Sequence, residues 1–186
     1  QQIYVGGNAG MLHAFDAKTG VEKFAFVPTA VFDKLHHLTN PEYNHFYYVD
    51  GTPEIADVFD GTNWRTILVG TLGAGGKGIF ALDITNPDEI ALLWEIGPDN
   101  SDFNDMGYSI PKPTVARLHN GKWAVVTGNG YGGEGYTEGK ASLYAINAID
   151  GSKIKRFDVA GKVKQDGKIV ANGLSTPKLV DFDADG

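Results

Sequence analysis

The sequence predicts an all-β fold, a β-propeller of four-stranded antiparallel blades with about three blades present. Three observations predict it. One strand-and-turn signature recurs in 10–20, 78–87 and 141–151, each time a short alternating strand that ends on Asp16, Asp83 or Asn147 and a turn. Each copy lies between two further apolar runs of strand length. The 25 glycines are scattered among these runs, as many tight turns between short strands require.

The runs before the three copies are 3–7, 66–70 and 123–128, rich in β-branched or apolar residues and ending in glycine. The runs after them are 22–27, 92–96 and 153–159. Two units have a leading strand, 52–58 and 112–118, and 176–181 would open another. Pro53, Pro113 and Pro177 sit at the start of these strands, where a missing N–H costs least. The copies are 67 and then 64 residues apart. Propeller blades repeat at about 40–50 residues, so loop insertions must supply the excess. The chain therefore divides into part of a first blade (1–28), an insertion (29–50), a second blade (51–98), a third (111–160) and the start of a next one (174–186). A sandwich of unrelated hairpins is the competing reading, but it would not repeat one strand-turn signature in register. About three blades cannot close a ring of about 4–8. With Gln1 in place of an initiator methionine, both ends read as cuts inside a longer protein, whose missing blades would cover the exposed edges.

Composition narrows the function. The net charge of -7 and the absence of a Lys/Arg cluster argue against a nucleic-acid partner. No cysteine is present, which removes disulfides, thiolate metal sites and Cys nucleophiles. No apolar run reaches the length of a membrane span.

Candidate sites are few. Asp181-Phe182-Asp183-Ala184-Asp185-Gly186 fits D-x-D-x-D-G, the opening of a calcium loop. Alternating carboxylates converge on one point and offer the hard oxygen ligands that calcium takes, and glycine permits the sharp turn. The competing reading is a polar hairpin turn. A second acidic group, Asp99, Asp102, Asn104 and Asp105, fails the same template, because its third ligand position falls on Phe103 or Met106. It reads as a solvated loop between blades. The glycine run 70–78 lacks the spacing and the Ser/Thr of a phosphate loop, and strands flank it on both sides. His13, His36, His37, His45 and His119 read as surface or strand-filling residues, with neighbouring His36 and His37 pointing apart on a helix. No catalytic triad is proposed. Within the insertion, 30–38 reads as a short helix with Val31, Leu35 and Leu38 on one stripe. Tyr43, His45, Phe46, Tyr47 and Tyr48 follow, either as a recognition surface or as a loop packed on its own blade. The run 128–139, with Tyr131 and Tyr136, reads as a mobile, glycine-rich hairpin end.

The A-x-D-x-x-x-G turns resemble the repeats of quinoprotein-type propellers, in which a following aromatic packs neighbouring blades; Phe24, Trp94 and Phe157 stand near that place. A narrower resemblance lies in an ordered set: 4–16 running into 24–28, Tyr47-Tyr48-Val49-Asp50-Gly51-Thr52-Pro53, 64–70, 72–78, Gly128-Asn129-Gly130-Tyr131, and Asn172-Gly173-Leu174-Ser175-Thr176-Pro177. This set is similar to the C-terminal propeller of the PilC/PilY family of type IV pilus biogenesis proteins. The resemblance implies a non-enzymatic factor of Gram-negative bacteria, extracytoplasmic at the cell surface, pilus tip or outer membrane. It implies roles in pilus extension, adhesion and twitching motility, with pilus or minor pilin proteins and a host-cell surface as partners. It also implies a calcium loop, here Asp181, Asp183 and Asp185, that influences the pilus retraction balance and is completed by further ligands beyond Gly186. The rival reading is a quinoprotein dehydrogenase with a quinone and calcium on the axis. No quinone-binding constellation is visible, and the vicinal cysteine pair of several such enzymes is absent. A calcium-loop propeller of the integrin-like kind rests on the last six residues alone.

Overall fold

The structure, a computed structural model, describes residues 1–132, 140–159, 164–165, 168–169 and 172–181. Three antiparallel sheets follow one another along the chain. The first has three strands, β1 (Gln2–Gly6), β2 (Leu12–Asp16) and β3 (Glu22–Phe26), in that order. The second has four, β4 (Glu54–Phe59), β5 (Trp64–Thr71), β6 (Ile79–Asp83) and β7 (Ala91–Ile96). The third has β8 (Thr114–Arg117), β9 (Trp123–Gly128), β10 (Ala141–Asn147) and β11 (Lys153–Val159). Within each sheet, sequence neighbours pair with each other, as in the blades of a propeller. A short ribbon of β12 (Lys164–Gln165) and β13 (Lys168–Ile169) follows. Residues 175–181, expected to open a strand, make no ladder.

The blades repeat in detail. Each has a register shift at the same place in its third-from-inside strand pair, after Ala14, after Ala81 and after Ala145. Two residues later comes the Asp or Asn of the signature. Asp16 Oδ1 accepts the backbone N–H groups of Lys18 and Thr19 at 2.9 and 2.8 Å, Asp83 Oδ1 accepts that of Thr85 at 3.0 Å, and Asn147 Oδ1 accepts that of Ile149 at 3.0 Å. The recurrent residue is thus an Asx turn that reverses the chain between the last two strands of a blade.

Side-chain alternation stacks the sheets face to face. In β5 and β6, Ile67, Val69, Ile79 and Ala81 pack with Trp94, Ile96, Val125, Tyr144 and Ile146, towards the third blade. Leu68, Phe80 and Leu82 point the other way and pack with Leu12, Val31, Tyr48 and Val49, towards the first. The middle blade is therefore buried on both faces, which is why β6 reads Ile-Phe-Ala-Leu with every residue buried.

The seam between the second and third blades is clasped by Trp94. Its indole N–H donates to the Ala148 carbonyl at 3.1 Å, and its ring lies over Gly151. Gly151 has φ +72°, and a Cβ there would come within 2.8 Å of the Trp94 ring. Trp94 is paired with Ala81, and the same register position in the other blades holds Phe24, paired with Ala14, and Lys155, paired with Ala145. Phe157, expected to be the third aromatic of this set, lies two residues further on opposite Leu143 and is 53% exposed. The register shift is the same in all three blades, so the position opposite the alanine falls on Lys155 and Phe157, two residues further on, misses it. At the seam between the first two blades, Phe24 and Pro87 stand where Trp94 and Gly151 stand in the next. A cleft of about 500 Å³ remains there, lined by Phe24, Phe26, Leu82, Pro87 and Ile90.

The insertion packs down rather than standing free. Thr29–Thr39 is a helix of the 3-10 type, where the sequence led to a short helix over 30–38. Three residues per turn align positions three apart, so Val31, Lys34 and His37 share the inward side and Leu38 is 37% exposed. Tyr48 and Val49 are buried, Tyr48 donates its hydroxyl to the Lys34 carbonyl at 3.0 Å, and Lys34 Nζ donates to the carbonyls of Tyr47 and Gly75. Burial among these neutral groups holds the Lys34 ammonium below the usual lysine range.

Trp94→Ala should cost about 3–5 kcal/mol of stability, the range for deleting a buried aromatic. Denaturant unfolding of the intact protein's propeller domain checks this, and Gly151→Ala should also destabilise by forcing the ring away.

Candidate functional site: the turn face and the ties between blades

Successive strands of a blade run in opposite directions, so its loops separate onto two faces. The first- and third-strand turns share one face: 16–21, 60–63, 83–90, 118–122 and 147–152. The other face gathers the second-strand loops 7–11 and 72–78 with the connections between blades, including the insertion.

On the connection face the chain ties blades together through backbone. Val49 N–H donates to the Gly7 carbonyl at 3.4 Å and Asp50 N–H to that of Leu72 at 3.1 Å. Ser109 Oγ donates to the Gly78 carbonyl at 2.6 Å, and Gly130 N–H donates to the Leu174 carbonyl at 3.2 Å. The glycine run 70–78 serves this packing. A Cβ at Gly75 would overlap the Tyr48 carbonyl, so glycine is required for the insertion to close over it. Tyr131 of the 128–139 run bridges to Tyr108, while 133–139, with Tyr136, lies outside the described residues.

In the acidic group at 99–105, Asp99, Asp102 and Asn104 are exposed, as expected of a solvated loop, and Asp102 and Asp105 have protein partners. Asn100 Oδ1 accepts the Asp102 N–H at 3.0 Å, and Asp102 pairs with Lys153. Asp105 is buried, not solvated as expected. It accepts hydrogen bonds from the Tyr144 hydroxyl and from Ser142 Oγ at 2.8 Å, and pairs with Arg156 Nη2 at 2.8 Å. Arg156 Nε also reaches Asp158 at 2.5 Å, and its guanidinium lies 5.5 Å from the centre of the Tyr144 ring. Burial first, then the Asp105 hydrogen bond, pushes the Tyr144 hydroxyl far above the usual tyrosine range. With Phe103 and Met106 sunk in the core beside it, this network pins the connecting loop to the third blade. Nothing in the spacing of Asp105, Ser142, Tyr144 and Arg156 announced it.

The histidines have ordinary partners. His13 Nδ1 lies 2.6 Å from Glu22 and its ring stacks on Phe15 at 6.0 Å. His36 Nδ1 lies 2.8 Å from the Asp33 carbonyl, His37 stacks on Phe46 at 4.7 Å, and His45 meets Tyr47 edge-on at 5.1 Å. His36 and His37 do not point apart: their ring centres lie 3.9 Å from each other. Among the described residues, no group of three or more His, Asp and Glu side chains is placed to hold a metal.

Of the expected calcium ligands, Asp181 is described, and Asp183 and Asp185 lie outside the described residues. The chain offers an internal yardstick for that turn. Counted from Pro53, Pro113 and Pro177, the segment 181–186 corresponds to 57–62 and 117–122. In the second blade one carboxylate builds the turn: Asp60 Oδ1 accepts the N–H groups of Thr62 and Asn63, both at 2.8 Å, and Oδ2 takes Arg65 Nε at 2.5 Å. In the third blade Asn120 Oδ1 accepts the Lys122 N–H at 3.0 Å. By the same count from Pro177, the position of Asp60 and Asn120 falls on Ala184, between Asp183 and Asp185.

The comparisons with known proteins now decide the family. The PilY1 beta-propeller domain profile matches residues 1–186. The chain belongs to the PilY1 β-propeller family. It is 54% identical over its whole length to the type IV pilus biogenesis factor PilY1 of Pseudomonas aeruginosa strain UCBPP-PA14, covering 15% of that protein. It is 44% identical over its whole length to a PilY1 homolog of Xylella fastidiosa strain Temecula1, covering 13% of it. The crystal structure of the Pseudomonas aeruginosa PilY1 C-terminal domain matches 97% of the chain with a TM-score of 0.78 and 53% identity, over 33% of that domain. The propeller fold and the family resemblance read from the sequence are both shown. The chain spans about 15% of the length of the curated PilY1 relatives it matches. No helix among the described residues is long and apolar enough to cross a membrane.

Several carboxylates are more acidic in the folded PilY1-type propeller than in an unfolded chain. The Asn63 N–H first, then Arg65 and Thr62, lower Asp60 to about 2. Burial pushes Asp83 and Asp158 up, but hydrogen bonds from Thr85 and Arg65 to the one, and from Arg156 and Ser142 to the other, outweigh it and leave both below the usual range. Their contribution to stability is full above the unfolded value of about 4 and is lost as the pH falls through the folded values. Urea midpoints should therefore drop between about pH 5 and about pH 2, and Arg65→Ala should flatten part of that drop.

Proposed function

We propose that this chain is a structural and binding part of a type IV pilus biogenesis factor and performs no catalysis with its own residues. The observation that carries this reading is identity of 54% along the entire chain to proteins named as pilus biogenesis factors. The geometry supports it. Asp105, Ser142 and Arg156 tie the connecting loop to the third blade, and Ser109 ties it to the second. A rigid wedge of propeller is suited to presenting a surface and unsuited to turnover without a poised reactive group. The parent protein then acts outside the cytoplasm, at the cell surface, pilus tip or outer membrane, with pilus or minor pilin proteins and a host-cell surface as partners. Its roles are pilus extension, adhesion and twitching motility.

We further assign Asp181, Asp183 and Asp185 to a calcium site. What supports this is the D-x-D-x-D-G spacing of 181–186, whose alternating carboxylates offer the hard oxygen ligands that calcium takes, with Ala184 standing where the other blades hold the turn-building Asp60 and Asn120. Calcium bound there would stiffen a hairpin rather than take part in chemistry.

Deleting the full-length gene in its host should reduce the surface pili counted by electron microscopy, and the intact gene should restore them; normal pili would sink the assembly role. Calcium titration of the full-length protein should lose one binding event in Asp183→Ala, and unchanged stoichiometry and affinity would remove the metal assignment.

A further inference from the structure

On the turn face, the hairpins of the second and third blades bring three aromatic rings together. Phe59 and Trp64 lie 5.6 Å apart by their ring centres, and Trp64 and Trp123 5.8 Å apart with an edge-to-face angle of 71°. Trp64 is 61% exposed and Phe59 40%. An indole left this open contributes little to the core and stands where a partner can reach it. Between the same two hairpins a cleft of about 310 Å³ is lined by Phe59, Asp60, Lys122, Trp123, Asn147 and Asp150; Trp64 is outside the lining and adjoins it through its contacts with Phe59 and Trp123.

The lining decides the ligand class. Its walls are flat aromatic faces, and the polar groups between them retain capacity. Asp150 Oδ1 accepts from Ser152, which leaves Oδ2 as an acceptor. Asn147 Oδ1 caps the Ile149 N–H, which leaves its amide N–H groups as donors. Two carboxylates disfavour a phosphate or other anion. The Lys122 ammonium in the same cleft disfavours a cation held over the rings. An apolar ligand would strand the polar groups unpaired. A neutral sugar suits all of them: its C–H face stacks on an indole, whose face is electron-rich, while its hydroxyls donate to Asp150 and accept from Asn147 and Lys122. The volume is at the small end for ligand clefts, enough for one or two sugar rings.

We infer that the cleft between Phe59 and Trp123, together with the exposed Trp64 ring beside it, is a binding site for a neutral saccharide. The two indoles stand edge to face, Trp123 in the lining and Trp64 exposed beside it, where a bound sugar extending past the cleft would meet it. The site is independent of the pilus role and of the terminal Asp turn.

Full-length protein and its Trp64→Ala variant should be compared on a broad glycan array, followed by calorimetric titration with chitotriose, cellotriose and maltotriose. Trp64 is exposed, so the variant should unfold at the same denaturant concentration as wild type. Saturable binding of a neutral glycan that weakens roughly tenfold or more in Trp64→Ala, and recovers in part in Trp64→Phe, is the expected result. An array without signal above that of the variant, together with no heat from the three oligosaccharides, overturns the inference. Binding that Trp64→Ala leaves unchanged also overturns it, as does saturation by tetramethylammonium in place of the sugars.

Discussion

The middle blade is covered on both faces, and the rest of the structure is arranged around that fact. Ile67, Val69, Ile79 and Ala81 meet the third blade while Leu68, Phe80 and Leu82 meet the first. Burying alternate residues of the same two strands on opposite sides removes apolar area from water twice over for one stretch of ordered backbone. The outer blades have one covered face each, and residues on their far sides, such as Ile3, Val5, Phe157 and Val159, are about half exposed. The loops then divide between two faces because the strands alternate in direction. That division places the blade-to-blade ties on one face and the aromatic cleft on the other.

The two seams are closed by different chemistry. Between the second and third blades, an indole lies on a glycine turn and donates to a buried carbonyl, and a carboxylate network around Asp105 reinforces the joint. Between the first and second, the corresponding ring is a phenylalanine facing a proline, a cleft remains, and the insertion compensates by packing Val31, Tyr48 and Val49 into the gap above. A buried ion pair such as Arg156–Asp105 adds specificity of alignment more than net stability, since its desolvation offsets much of its attraction. It suits a seam whose geometry must not slip.

Much of this was legible in the chain itself. Strand alternation, the Asx turn and glycine at its end are local signals, and they located all three blades and the place of Trp94. The helix at 30–38 was legible but its 3-10 type was not, because an apolar stripe at i, i+4 and i+7 cannot tell whether the backbone will tighten to three residues per turn; the carbonyls that hold Lys34 come from Tyr47 and Gly75, far along the chain. Phe157 was misplaced because the pairing puts Lys155, two residues earlier, opposite Ala145, and an approximate count of aromatics after the turn does not fix that register. Asp105 looked like a loop carboxylate because its partners Ser142, Tyr144 and Arg156 belong to another blade.

The sequence by itself determined the units: which residues form strands, where each blade turns, and the family to which the ordered motifs belong. These depend on periodicity and on the backbone freedom of single residues, which act over a few positions. Only the tertiary structure decided which side chains meet between units: Trp94 over Gly151, Asp105 beneath Arg156, Trp64 against Trp123. Those contacts depend on the register and stacking of whole sheets. A shift of one residue changes every side chain presented to the neighbouring blade, and no pattern within a single strand records it.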